Sequence, residues 1–257
     1  MRFGSLFSGI GGLDLGLERA GMECAWQVEI DDYCQRVLEK HWPDVPKYRD
    51  VKDVGRHNLE PVDFIAGGFP CQPFSVAGSR LGKDDPRWLW PEMARIIAET
   101  KPAWVLAENP PGISPALGWI RDDLEGLGYE ILCPEIPAEV FGAWHLRYRT
   151  FIIAHSDGKR QQNGARITRQ AKQERRAVTI AGPYSEQMER SSKSRKERIS
   201  WENEPDVGRV VHGISRRVDR LTRKRVAALG NAVVPQVAEW IGKRIMEHDQ
   251  EKESTDL

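Results

Sequence analysis

Cysteine is scarce in this 257-residue chain: the four present, Cys24, Cys34, Cys71 and Cys133, form no C-x-x-C pair and have no histidine at metal-ligand spacing. That pattern argues against a structural zinc site, so no metal is expected. Without a secretory signal pattern at the front of the chain, a disulfide framework is not expected either. No apolar run approaches the roughly 18 residues of a membrane span, which predicts no membrane association and a cytoplasmic setting. Internal repeats are absent. Net charge is absent too, with Lys plus Arg and Asp plus Glu at 38 each.

The distribution of charge says more than its sum. Between Asp157 and Arg209 stand 13 Lys/Arg against 8 Asp/Glu, on a remainder that is acidic by the same margin. A basic segment on an acidic body fits either an anionic partner held at one place or a merely solvated insertion. Apolar residues are sparse from Ser156 to about Asp206, so this stretch buries little core by itself and is expected to order on its partner.

What remains is patterned. Arg2–Phe7, Cys24–Ile30, Val62–Gly67, Ala103–Glu108, Tyr129–Ile136 and Thr150–Ala154 read as strands. Gly11–Gly21, the segment after Asp31, Trp88–Thr100 and Ser114–Gly126 read as helices. Asp31 is placed to cap its helix, and Pro91 falls in a first turn, where proline is tolerated. Strand and helix in alternation predict an α/β fold, a parallel sheet with helices on both faces and ligands at the carboxyl ends of its strands. Order returns over Val207–Leu229 and in a helix from Pro235 to about Met246, and the last ten residues read as a frayed polar tail.

Three segments carry chemistry. Phe7-Ser8-Gly9-Ile10-Gly11-Gly12 lies between a strand and a helix, where glycines admit a ligand to the backbone and the helix start offers amide donors. Glu29 closes the next strand, where a carboxylate can accept from ribose hydroxyls. A dinucleotide fingerprint would want a third glycine at position 14, and Asp14 is there instead. Next, Gly67-Gly68-Phe69-Pro70-Cys71-Gln72-Pro73-Phe74-Ser75 leaves a strand end with a cysteine between two prolines, a poor place for core packing. A nucleophilic thiol needs a lowered pKa or an acid-base partner. The third segment, Ala107-Glu108-Asn109-Pro110-Pro111, brings a carboxyl group to the same edge.

Together these segments resemble the cytosine-C5 DNA methyltransferase family, in its compact bacterial and phage form. Phe3 through Gly12 resembles the cofactor motif, Gly68 through Ser75 the Pro-Cys nucleophile motif, and Glu108-Asn109-Pro110 the Glu-Asn motif. Arg147-x-Arg149 is similar to the paired-arginine motif, and Gly230-Asn231-Ala232-Val233-Val234-Pro235 to the closing motif that completes the cofactor pocket. The five follow the family's order over most of residues 1–155 and 226–245. Departures are His145 where glutamine is usual, Trp144 where proline is common, a short Asp85-Pro86-Arg87 stretch before Leu89, and a barely recognisable motif at Arg216–Leu221.

The resemblance implies a Rossmann-like S-adenosylmethionine-dependent fold and methyl transfer to carbon 5 of a flipped cytosine in double-stranded DNA. Catalytic roles fall on Cys71, Glu108, Arg147 and Arg149. Cofactor binding falls on Phe7, Gly9, Gly11, Gly12, Glu29, Ile30, Asp50, Leu89 and Asn231. Residues 1–155 would form the catalytic domain and 156–212 a small basic target-recognition segment. Residues 213–247 would return to the catalytic domain, ahead of a tail at 248–257. The implied setting is a monomer in a bacterial cytoplasm, with a cognate restriction endonuclease as a partner the family allows. The alternatives are a tRNA cytosine-C5 methyltransferase, whose Cys-Phe-Thr signature is missing here, and a non-catalytic DNA-binding protein on the same frame.

Overall fold

A computed structural model describes residues 1–70, 85, 87–143, 146–156 and 220–255. Strands β1 (Arg2–Leu6), β2 (Glu23–Val28), β3 (Lys47–Tyr48), β4 (Phe64–Gly67) and β5 (Trp104–Asn109) are joined by parallel pairing in the order β3-β2-β1-β4-β5. Helices α1 (Gly12–Arg19), α2 (Asp32–His41) and α3 (Trp90–Thr100) make the crossovers. Asp31 caps α2 as its side chain predicts, accepting from the amides of Tyr33 and Cys34.

Alternation along the strands builds two cores. Ile65, Val105, Ala107 and Ile152 face α3 and α4 (Leu117–Gly126), where Met93, Ile96, Ile97, Ile120 and Leu124 are buried. Phe3, Phe64, Ala66, Leu106 and Ile153 face the other way, against Leu13 and Leu17 of α1 and Val237, Ala238 and Ile241 of the last helix. Helices therefore cover both faces, as the pattern predicts.

Four expectations need correction. The sheet is mixed: β8 (Tyr148–His155) runs antiparallel to β5, and β6 (Glu130–Leu132) and β7 (Glu135–Pro137) pair antiparallel with β8. The expected single strand Tyr129–Ile136 is thus two, broken at Cys133-Pro134 because proline offers no amide to the ladder. Pro115 likewise holds Pro111–Ala116 as a 3₁₀ helix, so α4 begins only at Leu117. Finally, α5 (Arg220–Asn231) is followed by α6 (Pro235–Thr255), which runs well past Met246. The polar tail is tied down: Trp104 Nε1 donates to Asp249 Oδ1 at 3.0 Å, and the Trp104, His155 and His248 rings meet edge to face or tilted.

Candidate active site

The carboxyl ends of β1 and β2 build one half of the site. After Leu6 the chain turns sharply, with Phe7 and Gly9 both at positive φ, 54° and 58°. Glycine takes that conformation without cost, and a side chain at position 9 would project into open space, so the turn forms an unfilled cradle. Glu29 closes it. Its Oε2 accepts from the Gly9 amide and its Oε1 from the Asp31 amide, both at 2.7 Å. Beside it Ile30 is exposed. Phe7 and Leu89 both pack, half-buried, against the core beneath α3. Asp50, just beyond β3, caps the 3₁₀ helix Val51–Asp53 by accepting from Lys52 N at 3.0 Å.

The returning chain closes the back of this turn. Gly12 opens α1 against the 231–235 segment, and a Cβ there would stand 2.5 Å from the Val233 carbonyl oxygen. Asn231 ends α5 on the surface. Arg147, also at positive φ, spends its guanidinium on this segment, with Nη2 donating to Gly230 O at 2.8 Å and Ala232 O at 2.6 Å. Arg147, to which the resemblance gives a catalytic role, thus ties the entry of β8 to the return segment.

The other half lies where β4 and β5 end side by side, with Gly67 paired to Ala107. Glu108 is 6% exposed. Burial pushes its carboxyl up to about 7, while Arg149 and Arg147 pull the other way. Arg149 Nε lies 2.7 Å from Glu108 Oε1. A Cβ at Gly68 would lie 3.4 Å from Glu108 Oε2, so the chain that leads to Cys71 starts against this carboxyl. One residue on, Phe69 is buried with its ring against Trp88 and Trp90, centroids 5.6 and 5.3 Å away. That packing ties the residue just before Pro70-Cys71 to Trp88 and the first residue of α3. Asn109 Nδ2 and Thr150 Oγ1, on residues paired across β5 and β8, are buried without a hydrogen-bond partner among the described residues.

Cys71, Trp144, His145, the basic segment 157–209 and the motif at 216–219 lie outside the described residues. Among the described residues no group of His, Cys, Asp and Glu could hold a metal ion, and no helix is long and apolar enough to cross a membrane. One site element was not anticipated. Asp14 is wholly buried behind the turn, where Ser5 and Gln27 hold its two oxygens. Its signal in the sequence is a carboxylate between Leu13 and Leu17 on the inward face of a helix.

A family profile described as "C-5 cytosine-specific DNA methylase" matches residues 1–210. The chain is 35% identical over 159 residues to the type II methyltransferase M.HgiBI of Herpetosiphon aurantiacus, covering 59% of this chain and 36% of that protein. With M.HhaI of Haemophilus parahaemolyticus it shares 32% identity over 169 residues, 63% of this chain and 51% of that one. The chain therefore spans about half or less of the length of these relatives. Among solved structures, one described as a DNA modification methyltransferase encoded within an E. coli prophage superposes with a TM-score of 0.54. It has 32% identity over 62% of this chain and 47% of that one.

Proposed function

We propose that this chain, which belongs to the C-5 cytosine-specific DNA methylase family, methylates carbon 5 of cytosine in duplex DNA from S-adenosylmethionine. The observation that carries the reading is Glu108, a buried carboxyl held near neutrality, paired with Arg149 and set against the strand end that leads to Cys71.

The cradle at the front of the sheet fits the cofactor. An unfilled glycine turn, a carboxylate at the end of β2 and an exposed Ile30 suit an adenosine with an amino-acid tail. Phe7 would stack on the adenine, Glu29 would take the ribose hydroxyls, and Gly9, Gly11 and Asn231 would meet the methionine portion. Asp50 and Leu89 would line the adenine side. When bound, S-adenosylmethionine supplies a methyl group activated on a sulfonium.

Cytosine carbon 5 is too weak a nucleophile in the aromatic ring. Addition of the Cys71 thiolate to carbon 6 breaks the aromaticity and puts electron density on carbon 5. Protonated Glu108 donates to ring N3, where charge develops, and its second oxygen accepts from the exocyclic amine. Arg149 holds the O2 oxygen. Donors fixed in advance on developing charge commonly give the largest share of a rate enhancement. Afterwards a base removes the carbon 5 proton and the thiolate leaves carbon 6. A stacked base cannot be reached in this way, so the cytosine must flip out, at a cost of a few kcal/mol. Lys/Arg contacts from 157–209 to phosphates would offset that cost.

Methyl transfer from labelled cofactor to DNA, with tRNA in a parallel arm, tests the reading. Duplexes carrying 5-fluorocytosine should trap the wild-type protein, because fluorine blocks the elimination, and Cys71→Ala should neither trap nor methylate. An adduct mapped to Cys24, Cys34 or Cys133, or methyl transfer to tRNA alone, would sink it.

A further inference from the structure

Behind the glycine turn lies a polar cluster whose hydrogen bonds, among the described residues, do not involve Glu108, Arg147 or Arg149. Asp14 sits in the first turn of α1 with no exposed surface. Ser5 Oγ donates to its Oδ1 at 2.6 Å, and Gln27 Nε2 donates to its Oδ2 at 2.7 Å. Ser5 and Gln27 are directly paired in the β1–β2 ladder. Two residues past that pair stand Phe7, where the chain bends into the turn, and Glu29, which follows β2 and accepts from Gly9. One carboxyl therefore holds both strands and the helix start at the point from which the two sides of the cradle diverge.

A buried carboxyl is a costly way to join two strands, since apolar residues could fill the same volume. Burial pushes Asp14 up to about 6, with the Ser5 and Gln27 hydrogen bonds opposing. The start of α1 favours a negative charge at this place. What the carboxyl supplies that an apolar side chain cannot is two directed bonds at a set spacing.

We propose that Asp14 is a positioning residue for the cofactor, clamping Ser5 and Gln27 so that the Phe7–Gly12 turn and Glu29 keep the spacing that S-adenosylmethionine requires. The inference rests on the reading of that turn as the cofactor site.

The test separates affinity from turnover in the full-length chain. Asp14→Ala leaves two buried donors, Ser5 Oγ and Gln27 Nε2, without their acceptor. If that loss falls on the turn, the KM for S-adenosylmethionine rises about tenfold, equivalent to about 1.4 kcal/mol, with kcat at saturating cofactor little changed. Asp14→Asn should restore most of the affinity. Its carbonyl can still accept from Ser5, and its amide can donate to Gln27 Oε1, which is buried without a partner, once the Gln27 amide rotates. Should Asp14→Ala fail to fold, Ser5→Ala removes one of the two clamps and should raise KM in the same direction by less. A lower melting temperature with unchanged KM in these variants would make Asp14 a purely structural residue and overturn the inference alone. Absence of any S-adenosylmethionine binding by the wild-type chain would overturn the cofactor reading and this inference with it.

Discussion

Glu108→Gln separates the acid from the anion at one position, and the structure says how the two should differ. In the folded chain burial lifts this carboxyl from an ordinary 4.5 to about 7. Between those values the unfolded chain has lost the proton and the folded chain still holds it. Stability then falls as pH rises, because the folded state binds more protons than the unfolded one. At about 1.4 kcal/mol per pH unit of difference, the wild type gives up about 3 kcal/mol from this group between pH 4.5 and 7, and the cost levels off above. Glutamine does not titrate, so the variant escapes that loss. It also forfeits the Arg149 ion pair, which the wild type gains only as Glu108 ionises and whose pull is already contained in the value near 7.

Urea unfolding of both proteins at pH 5, 6, 7 and 8 therefore gives curves that diverge, with the variant gaining about 2–3 kcal/mol on the wild type across the range. Activity should move the opposite way. Loss of a positioned acid commonly costs about 10²–10⁴-fold in rate, and wild-type kcat/KM should decline above about pH 7 as Glu108 ionises. Parallel stability curves would refute the buried-acid account outright. A variant that retains full turnover would refute the role of Glu108 in catalysis while leaving its burial intact.

Glu29→Ala removes the acceptor for the Gly9 and Asp31 amides, and should weaken S-adenosylmethionine binding by at least about tenfold, whereas Glu108→Gln should bind cofactor nearly as the wild type does. Equal losses in the two variants, by calorimetry, would mean that the site is not divided in this way. Gly12→Ala places a methyl 2.5 Å from the Val233 carbonyl oxygen and should destabilise the chain by about 1–3 kcal/mol, the usual cost of overpacking. A melting temperature unchanged by that substitution would show that α1 and the return segment do not meet as described.

Hydrophobic period and turn chemistry made the front of the molecule readable before any coordinates. β4 and β5 are short apolar runs that end at Gly67 and Glu108, β2 is followed by Glu29 and β1 by the glycine-rich turn, so the carboxyl proposed to act on the base stands at a strand end. The direction of β8 was not readable in that way. A run such as Phe151-Ile152-Ile153-Ala154 looks the same in either direction, and orientation is decided by the connection. The chain leaves β7 at Pro137 and re-enters the sheet at Tyr148, too short a path for a crossover helix, so β8 must come back antiparallel.

Composition also misjudged the end of the chain for a physical reason. Residues 247–255 are almost wholly polar, and a local reading sees no apolar face to dock. Yet Trp104 and His155 stand at the amino end of β5 and the carboxyl end of β8, and offer one indole N–H and two ring faces. Those contacts come from residues about 90 to 145 positions away, and Asp249 and His248 need only one turn of helix to reach them. Asp14 escaped for the related reason that its partners, Ser5 and Gln27, come together only when β1 and β2 pair. Strand ends and caps such as Gly67, Glu108 and Asp31 follow from local sequence; bonds that exist only once distant strands are adjacent do not.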